Sequence, residues 1–115
     1  MDTFVKVMKA LSDPNRVRLL KIIQKKTLCV CEIQTMLRIA QPTVSKHLKV
    51  LEEAGLVRRS KVGLWVNYSI TDGSDSPYAA SLLGNIRHWF ADDKNIQMLE
   101  EMLPDIQREN ICKRG

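Results

Sequence analysis

The chain has 115 residues, one domain's worth, with 44% hydrophobic and 27% charged residues, a balance that folds and excludes a disordered tail. No apolar run nears the roughly 18 residues of a membrane span, and MDTFVKVMKALSDP lacks a signal peptide's apolar stretch and cleavage site. Three cysteines, two of them one residue apart, exclude a secreted disulfide framework and point to a reducing cytoplasm with thiols kept free for chemistry.

The net charge of +5 is unevenly spread. Up to Ile70 there are thirteen Lys/Arg against five Asp/Glu, and from Thr71 five against eight. A basic body with a mildly acidic end fits a nucleic-acid surface on the first part and self-association on the second.

Phe4, Val7, Met8 and Leu11 recur at helical spacing and predict an opening helix. Asp13 then caps, and Pro14 suits the first turn of a second helix that runs through Val17, Leu20 and Ile23 to about Gln24. Cys29 to Leu37 reads as a short third helix with Ile33, Met36 and Leu37 inward. Gln41-Pro42 restarts the chain, and Val44, Leu48 and Leu51 form one apolar stripe ending at Ala54-Gly55. Leu56 to Ser60 and Leu64 to Ile70 are rich in β-formers and flank Lys61-Val62-Gly63, a predicted hairpin. Beyond the turn-rich Thr71 to Asp75, Tyr78, Leu82, Ile86 and Trp89-Phe90 return to helical spacing. A last helix holds Ile96, Leu99 and Leu103 and is interrupted or kinked at Pro104. Four helices, a hairpin and two helices (α-α-α-α-β-β-α-α) make a mainly α winged helix-turn-helix. It is expected as a single domain over 1–115, with C-terminal dimerisation helices and a short tail. A homodimer is expected because Phe4, Met8, Leu11, Tyr78, Leu82, Ile86 and Trp89 offer more apolar surface than so short a monomer covers.

On the fourth helix, at 100° per residue, Ser45, Lys46, Lys49 and Glu53 lie opposite the apolar stripe. The turn Arg38-Ile39-Ala40 joins it to the third helix, and short polar and basic side chains near its start are what major-groove entry needs. Gln41 can address an adenine edge, Thr43 and Ser45 a base or phosphate, and Lys46 and Lys49 guanine or phosphate. Arg58, Arg59 and Lys61 on the hairpin add phosphate or minor-groove contacts. The expected partner is double-stranded DNA carrying an inverted repeat. His47 flanks the stripe and reads as a packing or phosphate-contacting residue. Ser45 and His47 face different directions, and no phosphate loop, carboxylate pair or nucleophile elbow is present, so the chain reads as a non-enzyme.

Residues 28–70 (LCVCEIQTMLRIAQPTVSKHLKVLEEAGLVRRSKVGLWVNYSI), extended upstream by Met8 to Leu20, resemble the core of the arsenic-repressor (ArsR–SmtB) family of metal-responsive repressors. The resemblance implies a homodimeric winged-helix repressor that releases operator DNA when an inducer binds. A Ser commonly precedes the recognition helix's Gln in that family, and here it is Ala40; Gln41 or Thr43 is then expected to cap, starting the helix one residue later.

Thr27-Leu28-Cys29-Val30-Cys31-Glu32 resembles that family's arsenical box, which implies arsenite or antimonite as inducer, with Cys29 and Cys31 as ligands. On a regular helix, residues i and i+2 point 200° apart. Sharing one atom at thiolate bond lengths of ~2.3 Å therefore requires Cys29 to lie outside the helix or the first turn to distort. The helix N-terminus favours thiolate, the ligand form. Gln34 stands where a third cysteine is often found, so Cys112 near the C-terminus is the candidate third sulfur, set against a tail thiol with no role. A soft divalent ion such as Cd²⁺ or Pb²⁺, or a thiol oxidant or persulfide that pairs Cys29 or Cys31 with Cys112, are the alternative inducers. His88 with Asp92 is too thin a ligand set for a Zn²⁺ or Ni²⁺ sensor and reads as surface or interface.

Overall fold

The computed structural model of the chain describes residues 1–107 and 111–112. Helix α1 (Asp2–Ala10) buries Val7 and Ala10. Helix α2 (Pro14–Lys25) starts where Asp13 Oδ1 accepts the backbone N–H groups of Asn15 and Arg16 at 2.8 and 3.3 Å, with Pro14 in the first turn. Strand β1 (Leu28–Cys29) was not expected: two residues are too few to carry a period-2 signal. Helix α3 (Val30–Leu37) therefore begins one residue after the predicted start, and Cys29 lies outside it as the N-cap. Ile33 and Met36 are buried and Leu37 half-buried, as the spacing required.

Arg38 closes α3 in the left-handed region (φ 57°, ψ 44°), and helix α4 (Gln41–Glu53) follows. The recognition helix is not delayed by the missing serine. Ala40 is its N-cap without any side-chain hydrogen bond, and its carbonyl accepts from Thr43 and Val44 at 3.0 and 3.1 Å. The exposed first turn leaves its remaining N–H groups to solvent. Val44, Leu48 and Leu51 are each fully buried, contributing about 1.5–3 kcal/mol apiece. At the far end Gly55 (φ 77°) turns left-handed, Leu56 N–H reaches Leu51 O, and Gly55 N–H reaches Glu52 O, a Schellman closure.

The wing is β2 (Val57–Val62) and β3 (Trp65–Ile70), paired antiparallel from Val57↔Ile70 to Val62↔Trp65. Lys61 and Val62 thus belong to β2, and the turn is Gly63-Leu64, with Gly63 at φ 61° as a two-residue hairpin loop demands. β1 adds to the other edge of β3 (Leu28↔Tyr68, Cys29↔Asn67), giving the sheet order β1-β3-β2.

Helix α5 (Pro77–Ile86), capped by Ser76, stops before Trp89-Phe90. Buried Lys21 explains the stop: its Nζ donates to Ile86 O at 3.0 Å and Arg87 O at 3.3 Å, satisfying carbonyls at the helix end. Trp89 and Phe90 are exposed, with Phe90 at φ 64°. Helix α6 (Lys94–Met102) passes at Pro104 into a 3₁₀ turn (Leu103–Asp105), the interruption that proline implied.

Candidate nucleic-acid interface and thiol site

Gln41, Thr43, Ser45, Lys46 and Lys49 are all exposed along α4, on the side away from the buried stripe. Arg58, Arg59 and Lys61 are exposed on β2, where alternation sends Arg59 and Lys61 to one face and Arg58 to the other. Two of these cations have acidic neighbours. Arg59 Nε lies 3.6 Å from Glu52 Oε2 of α4. Asp72's carboxyl is held below its usual range by the Ser74 hydroxyl and N–H, with Arg58 adding a smaller pull.

His47 is turned inward, with its side chain 12% exposed. Its Nδ1 lies 3.2 Å from Arg16 Nη1, and its Nε2 is 4.0 Å from Asp13 Oδ1. Arg16 Nε and Nη2 in turn donate to Ala10 O at 2.7 Å and Lys9 O at 3.2 Å. Thus His47 packs, and Arg16, which sequence reasoning passed over, joins α1, α2 and α4.

At the start of α3, Cys29 and Glu32 form a capping box with a thiol in the usual place of a hydroxyl: Glu32 Oε1 accepts from Cys29 N–H at 2.9 Å, and the Cys29 sulfur faces the Glu32 N–H. The x-x-Glu spacing after Cys29 was the available signal. Burial raises the Cys29 pKa above the ordinary thiol value, the Glu32 carboxylate adds to the rise, and the Glu32 and Cys31 amides oppose it. The expectation that the helix N-terminus favours thiolate is thus reversed at Cys29, because burial outweighs the amides.

Cys31 and Cys112, 81 positions apart, are joined as a disulfide with their Cα atoms 5.8 Å apart, leaving Cys29 as the free cysteine. Cys112 therefore returns to α3 of its own chain and is 8% exposed. Residues 108–110 of the segment that leads to it, and Lys113 and Arg114 after it, lie outside the described residues. Among the described residues no group of three His, Cys, Asp or Glu side chains is arranged to hold a metal ion. Two of the three expected sulfurs converge, and Cys29 is engaged in its cap. A cleft of about 330 Å³ nevertheless touches both Cys29 and Cys31, and its walls include Gln34, Gln41, Trp65 and Val66. The thiols, the first residue of the recognition helix and the wing share one surface. His88 and Asp92 are exposed beyond α5.

Phe4, Val5, Met8, Tyr78 and Trp89 are exposed, with the Phe4 and Tyr78 rings edge-on at 5.2 Å. Leu82 and Ile86 instead face the chain's own core, so the apolar surface left over is smaller than the spacing implied. No helix among the described residues is long and apolar enough to cross a membrane.

Residues 13–59 match the family described as "Bacterial regulatory protein, arsR family". An arsenic resistance transcriptional regulator of Pseudomonas putida is 33% identical over 110 residues, covering 92% of this chain and 94% of that one. An uncharacterized HTH-type transcriptional regulator of Methanocaldococcus jannaschii is 42% identical over 67 residues, 57% of this chain and 75% of its own. Other relatives match over about half their length, 51% and 48%. Among solved structures, the transcriptional repressor BigR of Xylella fastidiosa superposes with a TM-score of 0.59 at 29% identity, over 76% of this chain and 85% of that one. With its helix-turn-helix, β-hairpin wing and these relatives, the chain belongs to the ArsR family of DNA-binding transcriptional regulators.

Proposed function

We propose that the chain is a homodimeric repressor that leaves an inverted-repeat operator when arsenite or antimonite is captured by Cys31, Cys112 and Cys29. The observation that carries this reading is the approach of Cys112 to Cys31 across 81 positions, at the head of the helix that leads into the recognition helix. The relatives' arsenic-resistance names support the same inducer class. In the reduced protein, three thiols condensing with arsenous acid release three waters and need no oxidant. Capture of arsenic turns the Cys29 sulfur out of its capping box with Glu32. Its backbone is paired with Asn67 of β3, so that departure loosens both the first turn of α3 and the strand that steadies the wing. Both DNA-reading elements are then disturbed by one event. In this reading residues 1–115 act as one domain in a reducing compartment such as the cytoplasm. Two chains meet through Phe4, Met8 and Tyr78 of α1 and α5.

A second reading rests on the bonded Cys31–Cys112 pair. A thiol oxidant or polysulfide takes two electrons from the two thiols, and the bridge is the induced state. The test follows release of a fluorescent duplex, selected from a random pool, from reduced wild type and from Cys29→Ser, Cys31→Ser and Cys112→Ser. Arsenite, antimonite, Cd²⁺, Pb²⁺ and polysulfide are titrated in turn. Release by arsenite that all three substitutions abolish is the expected result. Loss in Cys29→Ser and Cys31→Ser alone removes the tail ligand. Release by polysulfide only, abolished by Cys31→Ser and Cys112→Ser, replaces the arsenical with the oxidant. Release by Cd²⁺ or Pb²⁺ but not arsenite overturns the arsenical reading in favour of a soft divalent ion.

A further inference from the structure

Two short arms end in the Cys31–Cys112 pair, and one side chain ties their roots together. Lys26 terminates α2 with extended backbone (φ −157°, ψ 135°), five residues before Cys31. Its half-buried ammonium donates to Ile106 O at 2.6 Å and to Leu103 O at 3.2 Å. Those carbonyls belong to the 3₁₀ turn around Pro104 and its C-cap, and Leu103 O also accepts the Ile106 N–H at 3.2 Å. Leu103 and Ile106 are buried, and Cys112 follows Ile106 by six residues. Neighbouring Lys25 makes a more exposed contact, 3.4 Å from Glu100 Oε2, with its own side chain 57% exposed.

The geometry points to Lys26 as a positioning residue for the thiol pair: by fixing the Leu103–Ile106 segment it sets the effective concentration of Cys112 at Cys31. The inference rests on the reading that this pair carries the signal, and it names what tunes that pair's sensitivity. Leu103 and Ile106 keep their apolar burial without Lys26, so what its loss removes is the pair of hydrogen bonds from a charged donor that hold this segment in one orientation. A segment released from that orientation presents Cys112 to Cys31 less often, and the effective concentration falls several-fold. A merely surface-solvated lysine would have no such effect.

The experiment equilibrates full-length protein with glutathione at graded ratios of disulfide to thiol. In that exchange the glutathione disulfide bond breaks, the Cys31–Cys112 bond forms, and the two thiol protons pass to the two released glutathiones. Alkylation followed by peptide mapping reads the fraction bridged. Lys26→Met is expected to lower the equilibrium constant about three- to tenfold, whereas Lys26→Arg, which keeps a donor, and Lys25→Met, which removes only the exposed contact, stay within about twofold of wild type. A melting curve of the reduced protein reports whether each variant folds, and Lys26→Gln replaces Lys26→Met if the latter does not. An unchanged constant in a folded Lys26→Met or Lys26→Gln, or an equal fall in Lys25→Met, overturns the assignment. DNA release is read separately. If wild type forms the bridge and also meets arsenite without ever leaving the duplex, the functional reading fails while the Lys26 result stands on its own.

Discussion

Arg16 Nη1 lies 3.2 Å from Nδ1 of His47, and the same guanidinium holds the Ala10 carbonyl at 2.7 Å. The end of α1, which carries exposed Phe4 and Met8, is thereby fastened to the middle of the recognition helix. Hydrogen bonds made by a charged donor are worth about 1.5–3 kcal/mol. Arg16→Met is expected to lose about 2 kcal/mol in urea unfolding. A double-mutant cycle with His47→Ala should return a coupling of about 0.5–1.5 kcal/mol. Independent effects of the two substitutions would separate α1 from α4 energetically.

Asp13 gives this part of the fold its acid sensitivity. Burial alone would raise its pKa, but the Asn15 and Arg16 N–H groups, followed by His47 and Arg16 charges, bring it below the usual value of 3.8. A lowered folded pKa means that the unfolded chain binds the proton first. The stabilisation is complete above the unfolded pKa and is lost as pH falls through the folded one. Asp13→Ala should cost about 1 kcal/mol at neutral pH, a deficit that disappears in acid. Asp13→Asn keeps a capping oxygen and should show the smaller loss without that pH dependence. Urea midpoints taken from pH 7 to pH 2.5 make the comparison.

Two backbone sites in the left-handed region predict opposite signs. Arg38 adopts φ 57° with a side chain, so Arg38→Gly removes a strain of about 1–2 kcal/mol while loosening the unfolded chain by somewhat less. The melting temperature should rise. Gly55 has φ 77°, and a Cβ there would lie 2.8 Å from Asp75 Cβ and Oδ2. Gly55→Ala should therefore lose at least the same 1–2 kcal/mol, and a neutral Gly55→Ala would remove the Schellman closure as a determinant of where α4 ends.

What could be read in advance was local. Asp13-Pro14 started α2, the Val44, Leu48 and Leu51 stripe fixed the inward face of α4, and a glycine between β-forming runs marked the hairpin. What escaped was short or distant. β1 has two residues, and α5 ends at Ile86 rather than Phe90 because Lys21 arrives from α2 to satisfy its carbonyls. Lys26 reaches acceptors 77 and 80 positions away, and such side-chain-to-backbone contacts leave no pattern in the chain. The cysteine spacing did require Cys29 to lie outside a regular helix, and it does. It could not foretell that Cys29 would serve as a cap while Cys31 alone met the tail.

That division between the cysteines has a stability consequence. Serine is a better N-cap than a thiol, and Glu32 is already placed to complete the box. Cys29→Ser should leave reduced protein as stable as wild type, or more stable by a few tenths of a kcal/mol. In alkylation of reduced protein, Cys29 should react more slowly than Cys31. Its reaction should gain speed only at pH values above those of an ordinary thiol, because its pKa is raised. Equal rates at the two cysteines would mean that the capping box is open in the reduced form.

The contact between Glu52 and Arg59 makes a prediction about DNA. Glu52 Oε2 sits 3.6 Å from Arg59 Nε, at the junction of the recognition helix and the wing. A cation beside its own carboxylate neutralises a phosphate less effectively, and the carboxylate itself repels the duplex. Each phosphate contact contributes about 0.9 to the slope of log K against log salt, and in the proposed dimer each residue is present twice. Arg59→Ala should therefore weaken binding to every sequence alike and flatten the slope by about two. Glu52→Gln should do the reverse, tightening binding at low salt without altering which sequence is preferred. Ser45→Ala, on the exposed face of α4, should instead relax discrimination between operator and scrambled duplex while leaving the slope nearly unchanged. Fluorescence anisotropy at four salt concentrations, on both duplexes, separates the three outcomes. A steeper slope in Arg59→Ala, or a flatter one in Glu52→Gln, would place the wing away from the phosphates.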